Sequence, residues 1–480
     1  MNFRRVLRIL GSVLLVLAGA QLVPLIWCFG PGATGAIRGF VAGAAITALL
    51  GVALRQFGSA SGELYRREGV LIVVGAWVLA SLSGAIPYLA TGAISSPIDA
   101  LFESASGFTT TGASILLDIE AVGHPVLFWR SLTQWLGGIG IVVLLVALLS
   151  ELGPGARFLF KLEVPGPKAE ILHARVRETA FALSRIYLAL SALQILLMLV
   201  AGTSLFDALT HTFSTVSTGG FSPYGDSIAH FSTPVQLIVI VFMAAAAINF
   251  SIYYALVRRR DALPLRDAEL RVYGALLVGA SAVVALDLAN HPSEGGAGVV
   301  IPAVFQVVSV ATTTGFATAD FAAWPGVSLA TLVALMVVGG CAGSTAGGAK
   351  IVRALVGWRA ALREVRLTYN PNSVIAIVVG RTVVPEESVR SVVALLLLWV
   401  LAWGVGAILL SVGDVGILTA ATASIATLSN VGPGLASVGP SESFAFFAPW
   451  QKLLMVGLMW LGRLEFFALL ALLQPSFWRR

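Results

Sequence analysis

A chain of 480 residues with 58% hydrophobic and only 11% charged side chains is not an ordinary soluble globule, in which about a quarter of residues are charged. At roughly 20 apolar residues per membrane-spanning helix, this length holds ten or more spans and leaves no room for a separate soluble domain. The net charge of +6 says less than where the charges lie, and two cysteines, Cys28 and Cys341, exclude a disulfide framework and a cysteine-based metal site.

The amino terminus places Arg4, Arg5 and Arg8 before an apolar run, as a signal peptide or a first membrane helix would. No small-residue cleavage site leads into a soluble region, so an uncleaved helix is expected. Apolar runs at 6–29 and 37–54, joined by a Gly/Pro turn, predict a helical hairpin within residues 1–60. Four units follow, at 61–160, 161–262, 263–368 and 369–480. Each predicts a span, a half-length segment and a second span. The first unit has them at 70–90, 99–108 and 128–152, and the second at 183–202, 206–215 and 234–257. The third has them at 272–289, 300–310 and 327–352, and the fourth at 389–412, 415–427 and 450–473. A helix of about ten residues rises only about 15 Å, half of a roughly 30 Å hydrocarbon core. Each short segment is therefore expected to enter and leave the membrane on one side.

Charge placement tests this topology independently, because cytoplasmic loops are enriched in Lys and Arg. With the amino terminus inside, Arg157, Lys161, Lys168, Arg175 and Arg177 follow unit one on the inner side. Arg258, Arg259, Arg260, Arg266 and Arg271 follow unit two, and Arg353, Arg359, Arg363, Arg366 and Arg381 follow unit three. Arg479 and Arg480 end the chain. The outer segments 203–233, 290–299, 316–326 and 433–449 hold no Lys or Arg, but do hold Asp207, Asp226, Glu294, Asp320 and Glu442. Both termini are thus expected in the cytoplasm.

One short motif ends each half-length segment: Phe108-Thr-Thr-Thr-Gly-Ala113, Thr215-Val-Ser-Thr-Gly-Gly220, Ala311-Thr-Thr-Thr-Gly-Phe316 and Leu428-Ser-Asn-Val-Gly-Pro433. A single Thr-Gly pair is ordinary in packed membrane helices, where small residues let backbones approach. Four copies at near-regular spacing, each after a half-length segment, favour four similar walls around one axis. A dehydrated cation needs oxygen ligands on all sides, which rings of backbone carbonyls supply in potassium channels. Glycine permits the dihedrals that turn successive carbonyls the same way. Aligning the copies on Thr-Gly gives three expected oxygen layers. They are Thr110, Ser217, Thr313 and Asn430; then Thr111, Thr218, Thr314 and Val431; then Gly112, Gly219, Gly315 and Gly432. The short helices would aim the negative ends of their dipoles at the central cavity. The expected fold is all-α: an amino-terminal hairpin and four repeats around one central pore.

Together with Gln134-Trp-Leu-Gly-Gly-Ile-Gly-Ile141, Val164-Pro-Gly-Pro167, Gly339-Gly-Cys-Ala-Gly-Ser-Thr-Ala-Gly-Gly348 and Gly462-Arg-Leu-Glu-Phe466, these motifs resemble the Trk-type potassium uptake subunits of the Trk/Ktr/HKT superfamily. The resemblance covers almost the whole chain. It implies membrane-pore-membrane repeats in a homodimer in the bacterial cytoplasmic (inner) membrane. It also implies a cytosolic nucleotide-binding regulatory ring, TrkA-like with RCK domains, docked on the inner face. A glycine at the filter position of every unit goes with potassium preference in that family, so Gly112 implies K+ as the transported ion, without an organic cofactor.

Five glycines between 339 and 348 make regular helix improbable, since each costs about 1 kcal/mol against alanine. A loop there would lie below the filter and block the path. The resemblance gives an intramembrane gating role to Gly343, Ser344, Thr345, Gly347 and Gly348. A phosphate-binding loop is rejected, because Ala349 precedes Lys350 and Ile351 follows it, against the Gly-Lys-Ser/Thr that the motif requires. Arg463 lies inside the last apolar run, where a charge is costly and marks function by default. It either faces the cavity beneath the filter or pairs with Glu465 or loop carbonyls. Lys350 is placed with the gate, against the plainer reading that it reaches for the inner surface. Asp99 and Asp207 are expected as helix caps, and Asn249 as a packing or hydrogen-bonding residue within its span.

The reading is a gated potassium pore subunit, not an enzyme, since no His, Cys, Asp or Glu cluster lies in the apolar segments. The alternative is a sodium or mixed monovalent-cation pathway, including one coupled to Na+ or H+. An alternating-access carrier predicts inverted repeats, whereas these repeats run parallel.

Overall fold

The computed structural model describes residues 1–29, 33–59, 65–151, 172–259, 267–291, 298–380 and 382–479. The Val164–Pro167 motif and the basic residues between 157 and 168 lie outside them. Helix dominates, and one hairpin of two-residue strands, Val378–Val379 against Thr382–Val383, is the only sheet among the described residues.

The chain opens with α1 (Phe3–Ala20) and α2 (Ala33–Gln56), packed as the expected hairpin. Gly11 and Gly51 let them touch, since a Cβ on either would press on the other's carbonyl oxygen. The hairpin seals onto α3 (Arg66–Thr91) through buried Gln21, whose Nε2 donates to the Ser83 carbonyl at 3.0 Å.

Four long–short–long groups follow. They are α3, α4 (Pro97–Phe108) and α5 (His124–Glu151); then α6 (Leu172–Val200), α7 (Leu205–Val216) and the broken pair α8 (Thr233–Ala246) and α9 (Phe250–Arg259). Next come α10 (Ala268–Ala289), α11 (Val300–Ala311), α12 (Gly326–Val338) and α13 (Ile351–Tyr369). The last group is α14 (Glu386–Leu410), α15 (Ile417–Leu428), α16 (Pro449–Arg463) and α17 (Phe467–Leu473), with the one-turn α18 (Pro475–Trp478) behind it. The helices over Phe3–Trp27, Ala33–Gln56, Arg67–Thr91, Ala180–Val200, Ala268–Ala289 and Glu386–Leu410 are long and apolar enough to cross a membrane. The chain is a multi-pass membrane protein.

Each short helix has 12 residues, about 18 Å of rise, and is walled in by the long ones. In the first, second and fourth segments buried hydroxyls are satisfied by bonding back one turn. Thr109, Thr215 and Thr427 donate to the carbonyls of Ala105, His211 and Ala423, each at 2.7 Å. The caps differ from expectation: Ser96 and Ser204, not the aspartates, accept the first-turn amides. Asp99 instead meets Lys452 of α16 at 2.6 Å, and Asp207 accepts from Tyr224 at 2.9 Å.

The units close on each other in order. Met243 of α8 packs with Phe305 and Val308 of the third unit, and Met336 of α12 with Ile425 and Leu428 of the fourth. Met459 of α16 returns to Ala105 and Phe108 of the first.

Three of the expected spans are broken, one of them where its glycines predict. The run 234–257 bends by 91° between α8 and α9, where Asn249 Oδ1 accepts the Ser251 amide at 2.9 Å and starts a new helix. The run 327–352 ends at Val338 in the glycine loop, as its composition predicts. The run 450–473 breaks at 464–466, with Glu465 and Phe466 at φ of 55° and 63°, a left-handed conformation rare for bulky residues. Only the loop break was foreseeable, because Asn249 and Glu465 lack glycine's local signature.

Candidate functional site

The carboxyl ends of the four short helices converge and finish alike. Thr109, Ser217, Thr312 and Ser429 are the caps. The next residues, Thr110, Thr218, Thr313 and Asn430, take left-handed φ of 53°, 56°, 56° and 54°. The amides that follow, of Thr111, Gly219, Thr314 and Val431, return to the carbonyls of Ser106, Ser214, Ser309 and Ala426 at 2.8, 2.8, 2.9 and 2.8 Å. This is a Schellman closure, made four times with threonine or asparagine where glycine is usual. Gly112, Gly220, Gly315 and Gly432 then turn left-handed again, at 83°, 78°, 82° and 99°.

These glycines show that the segments form a ring. A Cβ on Gly112 would run into the Gly219 carbonyl oxygen, one on Gly220 into that of Thr314, and one on Gly315 into that of Val431. One on Gly432 would lie 2.8 Å from the Thr111 oxygen. Each glycine thus faces the preceding layer of the next segment, in the order one, two, three, four, one. Asn430 strengthens the seam between the last and first segments, with Nδ2 donating to Thr111 Oγ1 at 2.9 Å and to the Met459 carbonyl at 3.1 Å.

The geometry corrects the expected alignment in the second segment by one residue. Ser217 is the helix cap, its hydroxyl donating to Phe213 at 2.7 Å. Thr218 therefore stands with Thr110, Thr313 and Asn430. Gly219 stands with Thr111, Thr314 and Val431, and Gly220 with the three glycines. Thr218-Gly-Gly220 offers two glycines, and the helix cap decides which one turns.

Beneath the ring lies the loop 339–350. Gly339, Gly343, Gly348 and Lys350 have φ of 69°, 70°, 75° and 74°, which folds the chain back on itself. The Gly347 amide donates to Thr313 Oγ1 at 2.6 Å, and the Gly348 amide to the carbonyl of the cap Ser429 at 3.0 Å. Thr345 Oγ1 lies 3.1 Å from the carbonyl oxygens of both Val216, at the end of the second short helix, and Ala246. Arg463 Nη1 donates to the Thr345 carbonyl at 2.7 Å, and its other guanidinium nitrogens are buried without a hydrogen bond. Glu465 pairs instead with Arg353 at 2.6 Å. Ser344 bonds within the loop to Cys341 at 2.6 Å, and Lys350 Nζ turns inward to the Ala346 carbonyl. The break at 247–249 receives this loop: the Phe250 amide donates to the Gly343 carbonyl at 3.0 Å, and the Cys341 amide to that of Ala247 at 3.0 Å.

Two further carboxylates, beyond the residues expected at the site, hold it together. Glu269 Oε1 accepts the amides of Ala342 and Val352, at 2.8 and 3.1 Å, and pins both ends of the loop. Glu103, on the first short helix, is fully buried against Arg130 at 2.7 Å. It also accepts from Ser114 and the Ile115 amide, while Arg130 reaches the Ser222 carbonyl at 3.1 Å and covers Phe221. This pair joins the exits of the first two segments. A Glu and an Arg inside otherwise apolar runs were the available clue. In the loop after the second segment, burial and the bond to Asp207 push the Tyr224 hydroxyl up to about 12.

The TrkH family, described as cation transport protein, matches residues 36–278 and 291–479. The chain is 36% identical over 488 residues to the Trk system potassium uptake protein TrkH of Salmonella typhimurium, with each chain covered completely. It is 38% identical over 491 residues to the protein of that name from Halomonas elongata, again with full coverage. The crystal structure of the potassium transporter TrkH from Vibrio parahaemolyticus superposes with a TM-score of 0.90 at 34% identity, covering both chains entirely. On this coverage the chain belongs to the TrkH family of cation transport proteins.

Proposed function

We propose that the ring of four segments is the filter of a pore carrying potassium ions inward across the bacterial cytoplasmic membrane, and that residues 339–348 close it from beneath. The observation that carries this reading is the cyclic register in which each left-handed glycine faces a carbonyl of the next segment. Such a ring offers main-chain oxygens from four sides in place of water, and the converging helix ends add negative potential. The relatives' named role in potassium uptake supports the choice of ion.

In this reading the loop holds the base of the filter closed by engaging its oxygens. Amides of Gly347 and Gly348 take Thr313 Oγ1 and the Ser429 carbonyl, and Thr345 sits on the Val216 carbonyl. Arg463 latches the loop and sets a positive charge below the ring, so cations pass only once the loop withdraws. Lys350 fixes the loop's exit. The units 61–160, 161–262, 263–368 and 369–480 act as the four walls, with 1–60 as an outer brace. A second copy of the chain and a cytosolic nucleotide-binding ring complete the assembly, with both termini cytoplasmic.

The test is growth of a potassium-uptake-deficient bacterium on limiting potassium, with the parent chain and with Gly112→Ser. The parent is expected to restore growth. The variant, whose side chain would enter the ring at a φ of 83° beside the Gly219 carbonyl, is expected to lose preference for potassium over sodium. A parent that gives no potassium-dependent rescue sinks the reading.

A further inference from the structure

Behind the ring, one position on the second helix of each unit is filled differently in the first unit. Met243, Met336 and Met459 are fully buried, and each packs against the short helix or ring of the following unit. Met336, for example, shares a cluster with Val431. Gln134 of α5 is the counterpart of Met459. Three residues further on, Gly137 and Gly462 each face the carbonyl just before a helix cap, that of Phe108 and of Leu428. Gln134 is equally buried, and it is polar.

Both ends of its amide are engaged. Nε2 donates to the Gly219 carbonyl at 2.6 Å, and Oε1 accepts the Phe221 amide at 3.1 Å. That orientation is dictated by the partners, since an amide N–H must meet the oxygen end. A Cβ on Gly219 would collide with this side chain, which explains why the layer Thr111, Gly219, Thr314 and Val431 has a glycine in the second segment only. The Gln134 amide takes the volume that a threonine or valine side chain fills elsewhere. Among the described residues, no hydrogen bond reaches the carbonyls of Thr111, Thr314 or Val431.

We propose that Gln134 is a positioning residue for ion selectivity, tethering the Gly219 carbonyl so that this layer has one held oxygen and three free ones. The proposal rests on the reading of the ring as the potassium path. A smaller cation binds well only if the oxygens close in on it and present a strong field. A tethered oxygen cannot follow inward, and its engaged lone pair offers a weaker field. Both effects favour the larger ion.

The experiment uses the full chain in proteoliposomes, with rubidium and sodium tracer flux measured for the parent and three variants. Gln134→Met reproduces the other units, and Gln134→Glu keeps the volume but removes the donor. Both are expected to keep rubidium flux while the rubidium-to-sodium ratio falls about fivefold, the equivalent of one hydrogen bond of roughly 1 kcal/mol. Gln134→Met combined with Gly219→Thr refills the volume as in the next unit but carries no tether, and is expected to keep the lowered ratio; a regained ratio would assign the effect to packing and overturn the tether. A purely structural role would lower the yield or the unfolding temperature of both single variants without moving the ratio. An unchanged ratio in either folded single variant, beside a selective parent, overturns the tether alone. A parent that passes sodium as readily as rubidium overturns the proposed function, and the tether with it.

Discussion

Thr110, Thr218, Thr313 and Asn430 hold a backbone conformation that costs an ordinary L-residue roughly 1–2 kcal/mol. The Schellman bonds and the crowded ring maintain it, which is how strain is stored where function needs a fixed geometry. Arg463 is the other costly residue, a buried guanidinium with one hydrogen bond to the Thr345 carbonyl. Arg463→Ala is expected to raise cation flux roughly tenfold, because a hydrogen bond to a charged group is worth about 1.5 kcal/mol to the seated loop. Tracer uptake measures it, and unchanged flux would reduce Arg463 to a packing residue. Glu103 and Arg130 carry a stability prediction. Glu103→Gln leaves a buried arginine unpaired and is expected to destabilise the fold by about 3–5 kcal/mol. Adding Arg130→Met should recover most of that, as read from thermal unfolding in detergent.

At the scale of elements, the glycine loop packs against the break in the second unit and is held by Arg463, just before the break in the fourth. Composition exposed the loop, since five glycines in a short stretch defeat a helix on propensity alone. The breaks at Asn249 and Glu465 left no such trace, because ordinary residues are held there by tertiary contacts, the Phe250 amide on Gly343 of the loop and Glu465 on Arg353 of α13. Thr345 joins the parts, touching the second short helix, α8 and Arg463. Thr345→Val keeps the shape and removes the hydroxyl, and is expected to favour loop withdrawal by about fivefold, near 1 kcal/mol for a neutral hydrogen bond. The steady-state flux of the variant relative to the parent checks it.

For the whole molecule, four units close into a ring by packing each second helix on the next short helix, with the fourth returning to the first. Outward faces such as Leu397, Val400, Leu401 and Ile408 of α14 stay exposed and apolar, as lipid contact requires. Orientation is testable at this scale. In a chain freed of Cys28 and Cys341, a cysteine replacing Asp226 is expected to react with an impermeant thiol reagent on intact cells. One replacing Glu364 should react only after permeabilisation, and the reverse pattern would invert the topology.

The order of long, short and long helices, and the four glycine motifs, were legible in the chain because hydrophobic length and helix-ending residues act on near neighbours. The register of the second segment was not legible. Which of Gly219 and Gly220 turns left-handed depends on the helix cap and on Gln134, a partner 85 residues away in sequence. The Glu103–Arg130 pair was hidden for the same reason, and so was the seam from Asn430 to Thr111, 319 residues apart. Sequence alone set the periodicity and the conformational freedom of each residue. Only the closed ring decided which carbonyl each glycine would face, since that choice lies in contacts between units and not within them.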